Sequence, residues 1–133
     1  MMEKDLTLIK TGIEEIDRQH SQLLECLDQL ADHMGGTFEF AASMTVITRL
    51  LEYIRDHFIY EENLLAEWGY PQLEKHTIEH QKLTNAVIDL WREIEAGNEI
   101  ADDLPAMIRH WIRSHINAED GEYVQFSRQQ ALI

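Results

Sequence analysis

From residue 13 onward, apolar side chains recur at spacings of three and four, the period of helices that each bury one face. Ile13, Ile16, Leu23, Leu27, Leu30 and Met34 form the first stripe, with His20 in a core position, and Gly35-Gly36 stops it. A second helix is predicted from about Glu39 to Ala66. Its stripe is Ile47, Leu50, Ile54, His57, Glu61 and Leu64, widened by Leu51, Phe58 and Leu65. Gly69 ends that segment, and Pro71 suits the first turn of a third helix, where its missing N–H costs nothing. Leu73, His76, His80, Leu83, Val87, Leu90 and Ile94 then run in register to about Ala96, and Gly97-Asn98 closes the helix. A fourth helix begins near Asp102, has Pro105 in its first turn, and carries Leu104, Ile108, Trp111, Ile112 and His115.

Four helices joined by short loops predict an all-α fold, an antiparallel up-down-up-down four-helix bundle. An N-terminal arm precedes it and a short C-terminal extension follows. The expected organisation is one domain over 1–133, with the arm at 1–12, the bundle at about 13–118 and the C-terminal segment at about 119–133. A depth check uses about 1.5 Å of rise per residue. His20 lies about 10 Å from the start of the first helix, and Glu61 and His57 about 8 and 13 Å from the end of the second. His76 and His80 lie about 8 and 13 Å from the start of the third, and His115 is near the end of the fourth. In an up-down bundle all of these meet in one layer. Asp120 follows His115 by five residues, which on an unbroken α-helix turns it about 140° away. For both to serve one site the helix must bend or end between them, as Asn117 and Gly121 would permit.

The net charge of −14 argues against nucleic acid and anionic membrane as partners. The single Cys26 forms no internal disulfide and falls about 240° round the first helix from His20. The N-terminus has acids and no sustained apolar run, so no signal peptide is expected. No segment reaches the roughly 20 apolar residues of a membrane span, and a cytoplasmic location is expected. Seven histidines are the compositional oddity.

One His on an apolar stripe is usually a core residue with a hydrogen-bond partner. Five of them with a Glu, on the inward stripes of four helices, are different. Left unpaired, such groups would each cost a few kcal/mol, against a total stability of about 5–15 kcal/mol. A metal takes imidazole nitrogen and carboxylate oxygen as ligands and removes that cost. Five His donate once each, and two carboxylates bridging two ions donate twice each. With a bridging oxo or hydroxo group, about eleven of the twelve positions of two octahedral ions are filled, leaving one open for a small ligand. A structural zinc site would be closed and four-coordinate. Nitrogen-rich six-coordination suits iron.

The pattern HxxxE (His57, Glu61), HxxxH (His76, His80) and HxxxxD (His115, Asp120), preceded by IDRQH with His20, resembles the hemerythrins. The resemblance covers Gly12 to about Phe126 and is closest to single-domain bacterial members, although the arm lacks the Trp of many relatives. It implies a non-haem centre of two iron ions that binds O2 reversibly. His76, His80 and His115 would hold one iron and His20 and His57 the other, with Glu61 and Asp120 bridging and O2 at the His20/His57 iron. NO is the alternative gaseous ligand.

Two function classes follow. One is a binding protein for O2, used in carriage, storage or sensing. The other is a di-iron enzyme acting on peroxide, NO or Fe(II). Oxygen-activating di-iron bundles rely on Glu with Glu-x-x-His motifs, whereas five neutral imidazoles favour reversible binding. The first class, without catalytic residues, is expected. Around the open position an apolar wall is needed, and Trp111 and Ile112, one turn before His115, are the candidates for an O2 pocket. The paired acids at 14–15 and 61–62 read as surface charge, Glu61 excepted. His33 and His110 match no ligand position and are expected at the surface. Tyr70 and Tyr123 lie near the ligand layer and are candidates either for hydrogen-bond donors to carboxylates there or for core packing.

Overall fold

The computed structural model describes residues 8–34, 40–98 and 104–132. In chain order the elements are α1 (Glu14–Met34), α2 (Phe40–Glu67), α3 (Leu73–Glu95), α4 (Leu104–His115), a π-helical turn (Ile116–Asp120) and α5 (Gly121–Gln129). Helix α1 packs on α2 and α4, and α3 on the same two, closing a four-sided antiparallel bundle. The Gly35-Gly36 stop and the start near Asp102 lie outside the described residues. Pro71 precedes α3 rather than opening it, because the helix begins at Leu73. His33, expected at the surface, is half-buried in the last turn of α1.

The turn between α2 and α3 fixes the end of the bundle nearest the candidate ligands. Gly69 takes φ 65°, in the left-handed region where a Cβ is penalised. That conformation lets Tyr70 N–H donate to Leu65 O at 3.0 Å and Gly69 N–H to Ala66 O at 3.1 Å. The two bonds satisfy carbonyls that the end of α2 would otherwise leave open.

Among the described residues, apolar burial falls into two clusters. The larger contains Leu23, Leu27, Leu50, Ile54, Leu90 and Ile112 among others, and Cys26 is buried within it. The smaller is Ile16, Leu65, Tyr70, Tyr123 and Val124, at the α2–α3 turn. The candidate ligands lie between them on every helix. His20 stands between Ile16 and Leu23, Glu61 between Phe58 and Leu65, and Asp120 between Ile116 and Tyr123. The polar layer is therefore covered above and below by hydrocarbon.

The C-terminal segment supplies two of the five residues of the smaller cluster. Tyr123 and Val124 on α5 reach it only because the fourth helix continues past Asp120 instead of ending there. The N-terminal arm is tied to the same region: Ile9 N–H donates to Asn117 Oδ1 at 3.1 Å, and Thr11 Oγ1 donates to Asp17 Oδ1 at 2.9 Å.

An added Cβ at Gly69 would meet no atom within 4 Å, so only backbone strain opposes it. Gly69→Ala is expected to destabilise the fold by about 1–2 kcal/mol, read as a lower urea midpoint at an unchanged m-value.

Candidate metal centre

Seven polar side chains converge in the layer between the two clusters. His20, His57, His76 and His80 are each 2% exposed, His115 7%, and Glu61 and Asp120 0%. Their donor atoms fall into two groups, each with all members within 4.8 Å of one another. One group is His76, His80, His115, Glu61 and Asp120. The other is His20, His57, Glu61 and Asp120. The carboxylates belong to both.

Each carboxylate divides its oxygens between the groups. Glu61 Oε1 lies 2.8 Å from His76 Nε2 and 2.9 Å from His80 Nε2. Its Oε2 faces the other way, 3.5 Å from His57 Nε2 and 3.9 Å from His20 Nε2. Asp120 Oδ1 lies 3.0 Å from His76 Nε2 and 3.3 Å from His115 Nε2, while Oδ2 is 3.2 Å from His20 Nε2. All five imidazoles thus turn Nε2 inward. Two ligands held at right angles, each about 2.1 Å from an ion, stand about 3.0 Å apart, so most of these spacings are those of neighbours on one ion.

The donor atoms are also left without ordinary partners. His20 Nε2, His80 Nε2, His115 Nε2 and both Asp120 oxygens are buried and make no hydrogen bond, although other donors and acceptors lie close by. Unsatisfied buried groups of this kind are rare and costly. They are concentrated where the two donor groups meet, and a metal ion taking imidazole nitrogen and carboxylate oxygen as ligands would satisfy them. The residues fit such a group.

Local electrostatics agree. Burial pushes the His57 imidazole down to about 4, leaving it neutral. At His76 burial also opposes charge, but the carboxylates of Asp120 at 3.0 Å and Glu61 at 2.8 Å outweigh it and lift the group to about 10. Burial would raise Asp120, yet the close imidazoles of His115, His20 and His76, 3.0–3.3 Å away, hold it well below the usual carboxylate range. Protons therefore face two ionised carboxylates at the points where cations would sit.

The π-helical turn answers the question posed by the HxxxxD spacing. The chain stays helical from His115 through Asp120 into α5. A single turn with i→i+5 hydrogen bonding brings the fifth residue back over the first, so the two side chains share one face.

Two expectations need correction. Trp111 is 46% exposed and lines a cavity of about 390 Å³ with Leu83, Ser114, His115 and Ala118, on the outer side of His115. It does not wall the space between the donor groups. Met107, one turn earlier, is likewise exposed, which marks that stripe as the outer face of α4; Ile108 and Ile112 are the buried stripe. Glu62 is not simply surface charge, since its Oε2 lies 2.7 Å from His80 Nδ1. Gln19, a residue with no ligand pattern of its own, places Oε1 2.6 Å from His57 Nδ1. Neither partner sits on an apolar stripe, so periodicity gave no signal for them. His110 is exposed, as expected.

Tyr123 is fully buried and donates its hydroxyl to Glu61 Oε2 at 2.9 Å. Burial raises its pKa, so the phenol keeps its proton and acts as a donor. Its ring packs edge-on against His76, Trp68 and Tyr70. Tyr70 is buried in that aromatic group.

Fold and layer together define an all-helical bundle with a His/Glu/Asp cluster able to hold metal. Comparison with known proteins identifies the class further. Residues 11–126 match the family model described as the hemerythrin HHE cation binding domain. The chain is 32% identical to bacteriohemerythrin of Pseudomonas aeruginosa over 120 residues, 90% of this chain and 78% of that one. It is 34% identical to bacteriohemerythrin of Stenotrophomonas maltophilia, covering 86% and 74% of the two chains. A wild-type hemerythrin crystal structure superposes with a TM-score of 0.79 at 28% identity, over 86% of this chain and 88% of the other. The chain belongs to the hemerythrin family.

Tyr123→Phe keeps the ring and removes one hydrogen bond to a buried carboxylate. The metal-free protein is expected to lose about 1.5–3 kcal/mol, measured by denaturant unfolding.

Proposed function

We propose that the chain holds two iron ions bridged by Glu61 and Asp120 and binds O2 reversibly, as a carrier, store or sensor rather than an enzyme. The observation that supports this best is the pair of donor groups sharing both carboxylates, one with three imidazoles and the other with two. The smaller group has fewer donors, so its ion is the one with a free position. An oxo or hydroxo bridge would complete the pair. When bound, the two irons supply that open position and the two electrons needed to hold O2 and release it again.

The chain's own residues do the rest. The five imidazoles are neutral donors when metal-bound, so the two carboxylates are the only anionic side chains in the donor set. That balance favours reversible binding over the high oxidation states that carboxylate-rich centres support. Glu61 is held from both sides, by the imidazoles at Oε1 and by Tyr123 at Oε2, which fixes the orientation in which it would hold metal. Phe58 stacks on His80 with ring centroids 3.7 Å apart and planes at 4°, fixing the angle of that imidazole. The two apolar clusters exclude water from the layer. Membership of a family whose relatives are called bacteriohemerythrins supports the same reading.

The test is anaerobic reconstitution with Fe(II), metal counting, and exposure to O2 followed by purging. Two irons per chain and a spectrum that returns to its starting form are expected. One iron per chain, or a spectrum that does not return, would contradict the proposal.

Ile112 is 3% exposed, one turn from His115, and belongs to the larger apolar cluster. It is the proposed wall that keeps water from bound O2. Ile112→Ala is expected to retain two irons, to cost about 2–4 kcal/mol of stability, and to lose its oxygenated spectrum faster in air. Equal decay in variant and wild type would reduce Ile112 to a packing residue.

A further inference from the structure

The five imidazoles are alike on the inward side, where each presents Nε2, and differ on the outward side. His80 Nδ1 meets the Glu62 carboxylate at 2.7 Å, with His80 2% and Glu62 30% exposed at the side chain. His57 Nδ1 meets the Gln19 amide oxygen at 2.6 Å. The orientation of that amide is fixed by its other end: Gln19 Nε2 donates to Glu15 Oε2 at 2.7 Å, and a carboxylate accepts only from the NH2 group. Glu15 is in turn paired with Arg18. His115 Nδ1 stands 4.0 Å from Glu119 Oε2, too far for a hydrogen bond.

Both contacts place the imidazole proton on Nδ1 and leave the Nε2 lone pair free for a metal. They differ in charge. A carboxylate acceptor makes the stronger hydrogen bond and raises the donor strength of the opposite nitrogen, whereas an amide does so weakly. The anionic partner stands behind the three-imidazole group and the neutral one behind the two-imidazole group.

Resting on the two-metal reading above, we propose that Glu62 and Gln19 are positioning residues that make the halves of the centre unequal. Glu62 makes the His76/His80/His115 half the tight one that loads first and keeps its ion. Gln19, held by Glu15, aims His57 without adding charge, so the His20/His57 half remains the weaker, exchangeable one. The half that lacks a ligand is thus also the half given the weaker electronic support, and the asymmetry is built outside the ligand set.

The test is stepwise titration of the metal-free full chain with Co(II), followed by its visible d–d absorption against a competing chelator. Circular dichroism of each metal-free variant checks that the bundle is intact. Wild type is expected to take two ions in separable steps. Glu62→Gln, which keeps the shape and an acceptor oxygen, is expected to weaken the first step 10–100-fold and leave the second nearly unchanged. Gln19→Leu is expected to weaken the second step only. Both steps unchanged in both variants, or both weakened equally in each, would overturn the inference while leaving the two-metal centre standing. A wild-type chain that takes fewer than two ions would overturn the two-metal reading itself, and this inference with it.

Discussion

The desolvation of one polar layer governs this molecule. Seven ionisable or imidazole side chains are taken out of water together, with hydrocarbon above and below them. Each such burial opposes folding unless the group finds a partner. Part of the compensation is internal: the imidazoles face two ionised carboxylates, and Tyr123 donates to one of them. The rest is incomplete, because several inward nitrogens and both Asp120 oxygens make no hydrogen bond. The bundle is built around an interaction that its own side chains do not finish.

That constraint explains local features that otherwise look unrelated. The left-handed Gly69 lets α3 return close to α2, so that Glu61 and His76 meet within 2.8 Å. The π-helical turn brings Asp120 onto the face of His115 while letting the helix continue. Continuation carries Tyr123 to Glu61 and Val124 into the smaller apolar cluster. The arm closes on the same turn through Ile9 and Asn117. Chain at both termini is therefore used to cover the layer.

Much of this was legible in the sequence, for a physical reason. Helical period and ligand spacing are the same periodicity, so a His or Glu on an apolar stripe declares both its helix face and its depth. The stripes placed His20, His57, Glu61, His76, His80 and His115 in one layer, where the structure brings them together. What periodicity does not carry is anything off the stripe or dependent on hydrogen-bond register. The slip from i→i+4 to i→i+5 after His115 has no residue signature in INAED, so a bend or an end looked necessary. Glu62 and Gln19 lie beside stripe residues, and their roles depend on how neighbouring helices are rotated. Trp111 and Ile112 are both apolar and adjacent, but a step of one residue turns about 100°. The structure buries Ile112 and exposes Trp111, and the exposed Met107 one turn before Trp111 marks the outer face.

The central claim is that two ions share Glu61 and Asp120. Anomalous X-ray scattering at the iron edge, on crystals of the reconstituted protein, tests it most directly. The account predicts two anomalous peaks about 3.5–4 Å apart, with one oxygen of Glu61 and one of Asp120 at each. A single peak, or two peaks with the carboxylates divided between them, would contradict it.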